Sequence, residues 1–156
     1  MNELFYANCQ RLAHFQPRLR TLVTALSDAQ LRAKPQPHEW SAIENVGHLI
    51  DTEQLLRYRI MRMCTEAMPT LINYDQDAAV VHHGYQQADL FALLATLAHE
   101  RQVTLAYFAR LPLPHLARTG WHSEYGLWQV ANTITYLTNH DELHYNQILG
   151  LDSYHG

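Results

Sequence analysis

The chain has 156 residues, 47% apolar and 17% charged, which suits one globular domain with a real core and excludes a disordered chain. A formal net charge of -4 leaves no basic surplus for a nucleic-acid backbone, and no apolar run approaches the ~20 residues that span a bilayer, so neither nucleic acid nor membrane is an expected partner. The two cysteines, Cys9 and Cys64, sit at helical positions without zinc-knuckle spacing and read as free thiols; with no signal-peptide pattern, a cytoplasmic location is expected.

Leu4, Phe5, Leu12, Phe15, Leu19, Leu22, Val23 and Leu26 recur at helical spacing and predict a first helix from Asn2 to Leu26, with Pro17 expected to kink it. Ser27-Asp28 ends that helix and caps a short turn through Leu31. Lys34 to Glu39, with two prolines, reads as extended loop. Ser41-Ala42-Ile43-Glu44 is a capping box that opens a second helix to Cys64, with Ile43, Val46, Ile50 and Ile60 inward. Met68 to Gly84 is polar and irregular, long enough for a crossover connection. A third helix follows from Gln87 to Leu111, stopped by Pro112-Leu113-Pro114. His115 to Tyr125 reads as a second long connection, and a fourth helix runs from Leu127 to Leu149, stopped by Gly150. No strand-like alternation competes with these patterns. Four helices and two long connections predict an all-α fold: a four-helix bundle with a long crossover connection, one domain over residues 1–156.

Eleven histidines equal the combined Lys and Arg count, a weak pointer to metal chemistry. His140 and His144 are one helical turn apart, so both imidazoles lie on one face and could share a divalent ion. At 100° per residue they fall, with Asp141, on the side of Val130, Ile134, Leu137 and Ile148. Burying three such polar groups without partners would cost about 2 kcal/mol or more each, so they must have partners, either protein groups or a metal. Two imidazoles need a third ligand. His48 lies about 10 Å inside the second helix and matches the height of the pair if the helices run antiparallel. On a helical wheel, however, it falls away from Val46 and Ile50, on the side of Ser41, Glu44 and Asp51. His14 and His99 also stand at helical positions, His99 off the inner stripe.

The run Trp40-Ser41-Ala42-Ile43-Glu44-Asn45-Val46-Gly47-His48-Leu49-Ile50-Asp51 resembles the Trp-Ser-x-x-Glu-x-x-x-His-Leu-x-Asp signature of the DinB-like (DinB/YfiT) superfamily. His140 to Ile148 is similar to that family's C-terminal His-x-x-x-His-x-x-Gln-Ile motif, and Leu22 to Leu31 and Gly120 to Gly126 also fit its pattern, with Ser123 where many relatives have Pro. The resemblance implies a four-helix bundle in which His48, His140 and His144 bind a divalent metal. Zinc suits three imidazoles best, and nickel and iron are chemically acceptable. It further implies a site open to a small molecule, with a low-molecular-weight thiol as the expected partner in an S-transfer or related reaction, and a homodimer. A metal-dependent hydrolase and a metal- or ligand-binding module without turnover are the alternatives.

Glu53, Arg57 and Arg101 interrupt inner stripes and read first as an ion-pair network joining helices two and three; the catalytic reading has an arginine, Arg101, reach the cleft and hold an anionic substrate. Asp141 and Asp51 neighbour the proposed ligands and are candidates to orient imidazoles or act as a base, Asp141 ahead of Asp51. Trp121, Tyr125 and Trp128 are candidate cleft walls.

Overall fold

The structure, a computed structural model, describes residues 1–150; the last six residues of the domain expected over 1–156 lie outside it. Its elements are α1 (Asn2–Thr24), α2 (Asp28–Arg32), α3 (Ala42–Thr65), β1 (Thr70–Leu71), α4 (Gln76–His83), α5 (Leu90–Phe108), β2 (Thr119–His122), β3 (Gly126–Gln129) and α6 (Val130–Leu149), with 3-10 turns at Tyr85–Gln87 and Leu113–Ala117. The four long helices α1, α3, α5 and α6 form the predicted bundle. Each of α1 and α3 packs on both α5 and α6.

Local chemistry sets the helix starts. Ser41 Oγ accepts from Glu44 N while Glu44 Oε2 accepts from Ser41 N at 2.8 Å, the reciprocal box read from the sequence. Ser27 and Gln30 do the same for α2. Asp89 caps α5 through Ala92 N at 2.8 Å, so that helix begins at Leu90, three residues later than the apolar period suggests. α1 runs unbroken through Pro17.

The apolar core has two halves. Ile60 and Met63 near the end of α3 share one half with Val130 and Ile134 at the start of α6, and with Phe5 and Phe108. Ile43, Val46 and Leu49 near the start of α3 share the other with Phe15, Leu19, Leu90 and Leu94, against which Tyr145 and Ile148 of α6 pack. Hence α3 runs antiparallel to α6 and parallel to α5. The parallel pair forces the α3–α5 connection back along the bundle, and α4 with its following 3-10 turn makes that return.

Two stretches expected to be loops are structured. Met68 to Gly84 contains β1 and α4, and β2 and β3 form a hairpin that also removes Leu127 to Gln129 from the start of α6. β1 lies parallel to β2, with Thr70 opposite Trp121, and β2 lies antiparallel to β3, with Thr119 opposite Gln129. Strands of two to four residues carry too few positions for alternation to show. Gly120 permits the close β1 approach, since a Cβ there would lie 2.9 Å from the Pro69 carbonyl oxygen.

Between the core halves sits one buried cation. Arg101 on α5 donates to Asp141 on α6 through Nη1 (2.7 Å) and Nη2 (3.0 Å), to Glu53 on α3 through Nε (3.1 Å), and to the Leu12 carbonyl on α1 through Nη1 (3.0 Å). A single guanidinium therefore ties all four bundle helices. Burial alone would push Arg101 down, but the carboxylates of Asp141 and Glu53 outweigh it and hold the guanidinium charged. Glu53 pairs with Arg101 rather than with Arg57, which instead meets Glu100 at 2.5 Å and Thr104.

Candidate metal centre and its cavity

His48, His140 and His144 are all buried, and their ring nitrogens converge. His140 Nε2 lies 3.1 Å from His48 Nε2 and 3.0 Å from His144 Nε2. His48 is buried despite its position on the wheel because α3 is covered on every side over Ile43–Ile50. Trp40, the residue before the cap, packs on His48 at 4.5 Å and stacks on His144 at 5.9 Å.

Asn45 sets the tautomer of His144. Its Nδ2 donates to the carbonyls of Trp40 (3.3 Å) and Ser41 (3.0 Å), which leaves Oδ1 as the acceptor for His144 Nδ1–H at 2.7 Å. His144 Nε2 then presents a lone pair to the centre. Tyr74 OH meets His48 Nδ1 at 3.3 Å, and Thr52 Oγ1 lies 3.2 Å from His48 Nε2. Burial, reinforced by His144, pulls His48 down to about 3, and burial pulls His144 down to about 4. His140 falls well below the ordinary imidazole range through burial first, then its two histidine neighbours. All three rings are neutral at pH 7. His140 Nε2 faces two nitrogens, one of them a fixed lone pair, and its Nδ1 is buried without a partner among the described residues. Three neutral imidazoles aimed at one point can serve as the donor set of a divalent ion, and nitrogens sharing a tetrahedral zinc lie about 3.3 Å apart, close to the spacing seen.

His48 and His140 open onto a cavity of about 420 Å³. One face of α3 supplies His48, Thr52, Leu55, Leu56 and Arg59, one face of α6 supplies Thr133, Tyr136 and His140, and the crossover and hairpin close it with Tyr74, His122, Tyr125 and Trp128. Asp141 and Arg101 are not on its wall. Both Asp141 oxygens accept from Arg101, and burial, with Glu53 adding to it against the pull of Arg101, raises Asp141 to about 6. Asp51 accepts from Tyr85 OH at 2.7 Å and lies 3.2 Å from His83 Nδ1, so it orients neither of the paired imidazoles nor His48. Of the three aromatic candidates, Tyr125 and Trp128 line the cavity, while Trp121 is exposed outside it. His14 and His99 are both on the surface.

Sequence reasoning missed Asn45, Thr52, Arg59, Tyr74, His122 and Tyr136. The helical ones carried a readable signal, because Asn45, Thr52 and Arg59 share the His48 face at i−3, i+4 and i+11, and Tyr136 is one turn from His140. Tyr74 and His122 reach the site through the crossover and the hairpin, where no periodicity announces them.

The family model of the DinB superfamily matches residues 11–148. Among solved structures, the chain is similar to YfiT from Bacillus subtilis, described as a probable metal-dependent hydrolase with an unusual four-helix bundle topology, at 22% identity and a TM-score of 0.90 over 97% of this chain and 87% of that one. It is also similar to a mycothiol-dependent maleylpyruvate isomerase, at 7% identity and a TM-score of 0.73 over 96% of this chain and 61% of that one. No curated protein matches the chain.

Proposed function

Because the chain belongs to the DinB superfamily, we propose that His48, His140 and His144 hold one divalent metal and that the adjoining cavity is the active site of a metal-dependent enzyme acting on a small molecule. The observation that carries the reading is the convergence of three buried, neutral imidazole nitrogens at the end of a cavity, with the tautomer of one fixed by Asn45. Three protein ligands leave the centre open on the cavity side. Zinc suits the donor set best, with nickel or iron also compatible.

A divalent ion at this centre would supply Lewis-acid chemistry, lowering the pKa of a thiol or water that enters from the cavity. The chain's own residues do the rest. Asn45 and Tyr74 orient two imidazoles, and Trp40 packs on His48 and His144 outside the cavity. Arg101 and Asp141 act here as positioning residues. Asp141 follows His140 in α6, and its bidentate tie to Arg101 fixes the turn that carries both metal-site histidines. Thiol S-transfer is the reaction we favour, with a low-molecular-weight thiol as the incoming partner. Hydrolysis is the second reading, favoured by the description of YfiT as a probable metal-dependent hydrolase.

Metal analysis of protein purified without a histidine tag tests the centre. About one equivalent of a transition metal per chain is expected, with most of it lost in His140→Ala at unchanged helix content. Substoichiometric zinc, nickel and iron, together with no thermal shift on adding them, would remove the metal and with it the enzyme. A thiol-conjugation assay against varied electrophiles then separates S-transfer from hydrolysis.

A further inference from the structure

Among the described residues, no carboxylate lies within ion-pair distance of Arg59. This arginine lies on the cavity wall, eleven residues beyond His48 on the same face of α3, about 16 Å along the helix. Of the arginines on the inner faces of the bundle helices, Arg101 has two carboxylates and Arg57 has Glu100, while the half-buried Arg118 donates to the Met63 and Glu66 carbonyls. Arg59 forms no ion pair among the described residues. Its Nη2 donates to the Ile72 carbonyl at 2.5 Å and reaches Asn73 Oδ1 at 3.5 Å, while its Nε is buried with no acceptor among the described residues. Glu124, exposed at the hairpin tip, acts on Arg59 only at a distance, so the guanidinium keeps bonding capacity that a ligand in the cavity can complete.

His122 stands on the same wall, and its surroundings leave it one role. Its Nδ1 accepts from the backbone N–H of Glu124 (3.2 Å) and of Tyr125 (3.4 Å). A nitrogen that accepts from two amides carries no proton, so the ring proton is on Nε2 and the neutral ring is a donor. Burial and the nearby Arg59 charge pull its pKa down, which keeps it in that form. The phenol hydroxyls of Tyr74 and Tyr136 also line the cavity as donors. Tyr136 is one turn from His140 toward the Arg59 end. Against these donors stand two exposed carboxylates, Asp75, which is committed to capping α4 at Ala78 N, and Glu124 at the hairpin tip.

We propose that Arg59 and His122 form an anion subsite that holds the carboxylate of a small-molecule substrate, whose reacting group lies at the three imidazoles. The location of the reacting group rests on the metal-centre reading above, whereas the subsite stands on Arg59 and His122 alone. The charge count selects the anion. One guanidinium and neutral donors, with Glu124 nearby, match a singly charged carboxylate, whereas a phosphate group brings about 1.5 to 2 negative charges. A guanidinium edge and an imidazole N–H also suit the planar acceptor geometry of a carboxylate.

Two probe pairs test this on the full chain by calorimetry. On zinc-loaded protein, 8-mercaptooctanoate, long enough to span from the imidazoles toward Arg59, should bind about tenfold tighter than 8-mercaptooctanamide, the size expected when one charge-assisted hydrogen bond is gained. Arg59→Gln should bring that ratio close to one with zinc content unchanged, and Arg59→Lys should keep part of it. On metal-free protein, benzoate should likewise be preferred over benzamide, which separates failure of the subsite from failure of the metal centre. Equal affinity for charged and neutral probes in the wild type, no binding of any probe up to about 10 mM, or a preference that survives in Arg59→Gln would overturn the proposal. Tighter binding of phenyl phosphate than of benzoate would overturn the carboxylate assignment.

Discussion

The carboxamide of Asn45 has no freedom to turn. Two backbone carbonyls hold its nitrogen, so its oxygen must face His144. Groups that orient a metal-ligating imidazole commonly affect affinity by about 10- to 100-fold when removed. Asn45→Ala is therefore expected to weaken zinc binding by that factor in a competition titration against a chelator, with helix content unchanged by circular dichroism. Unaltered affinity would mean that His144 needs no orientation. His140 and His144 were legible in the sequence because a spacing of four on an apolar face is a purely local pattern. Asn45 was not, because its role depends on carbonyls of the preceding turn and on a helix distant in sequence. The same limit applies to Asp51, whose neighbourhood to His48 in sequence suggested contact, while the fold gives it to Tyr85 and His83.

At the scale of elements, the long helices were readable from apolar period and capping chemistry, and the connections were not. α4 has eight residues and β1 has two, too short for either period to register. Yet these elements carry Tyr74 and Tyr85 onto α3 and complete the cavity. Gly47 is the point of closest contact. A Cβ there would lie 2.2 Å from the Tyr85 ring, so the absence of a side chain on α3 lets the crossover dock. Gly47→Ala improves helix propensity in isolation, but here overpacking wins and should cost about 1–3 kcal/mol in urea denaturation. In a Tyr85→Leu background the ring is gone and the same substitution should cost far less. Equal costs in both backgrounds would sink the packing account.

At the scale of the whole molecule, polar groups are buried in two adjacent layers: the Arg101 triad that ties the four helices, and the three-imidazole centre one residue away along α6. The two layers respond to pH in opposite senses. In the unfolded chain the imidazoles take up protons near 6.5, whereas His48 resists until about 3, His144 until about 4, and His140 is likewise held well below its ordinary range. Their contribution to stability is complete above about pH 6.5 and is lost as the pH falls. Asp141, raised to about 6, binds its proton more readily in the folded state, so its contribution is lost as the pH rises through that value. Three imidazoles outweigh one carboxyl between pH 6 and 4. The unfolded metal-free chain then holds about two more protons than the folded one, a slope of about 2.7 kcal/mol per pH unit. Urea denaturation of metal-free protein at pH 7, 6 and 5 should show the midpoint falling steeply on acidification. His48→Asn, with one fewer imidazole to charge, should flatten the slope by about 1.4 kcal/mol per pH unit. A midpoint that is flat, or rises, on acidification would show that the imidazoles are solvated enough to charge in place, and the neutral donor set on which the metal centre depends would fall with it.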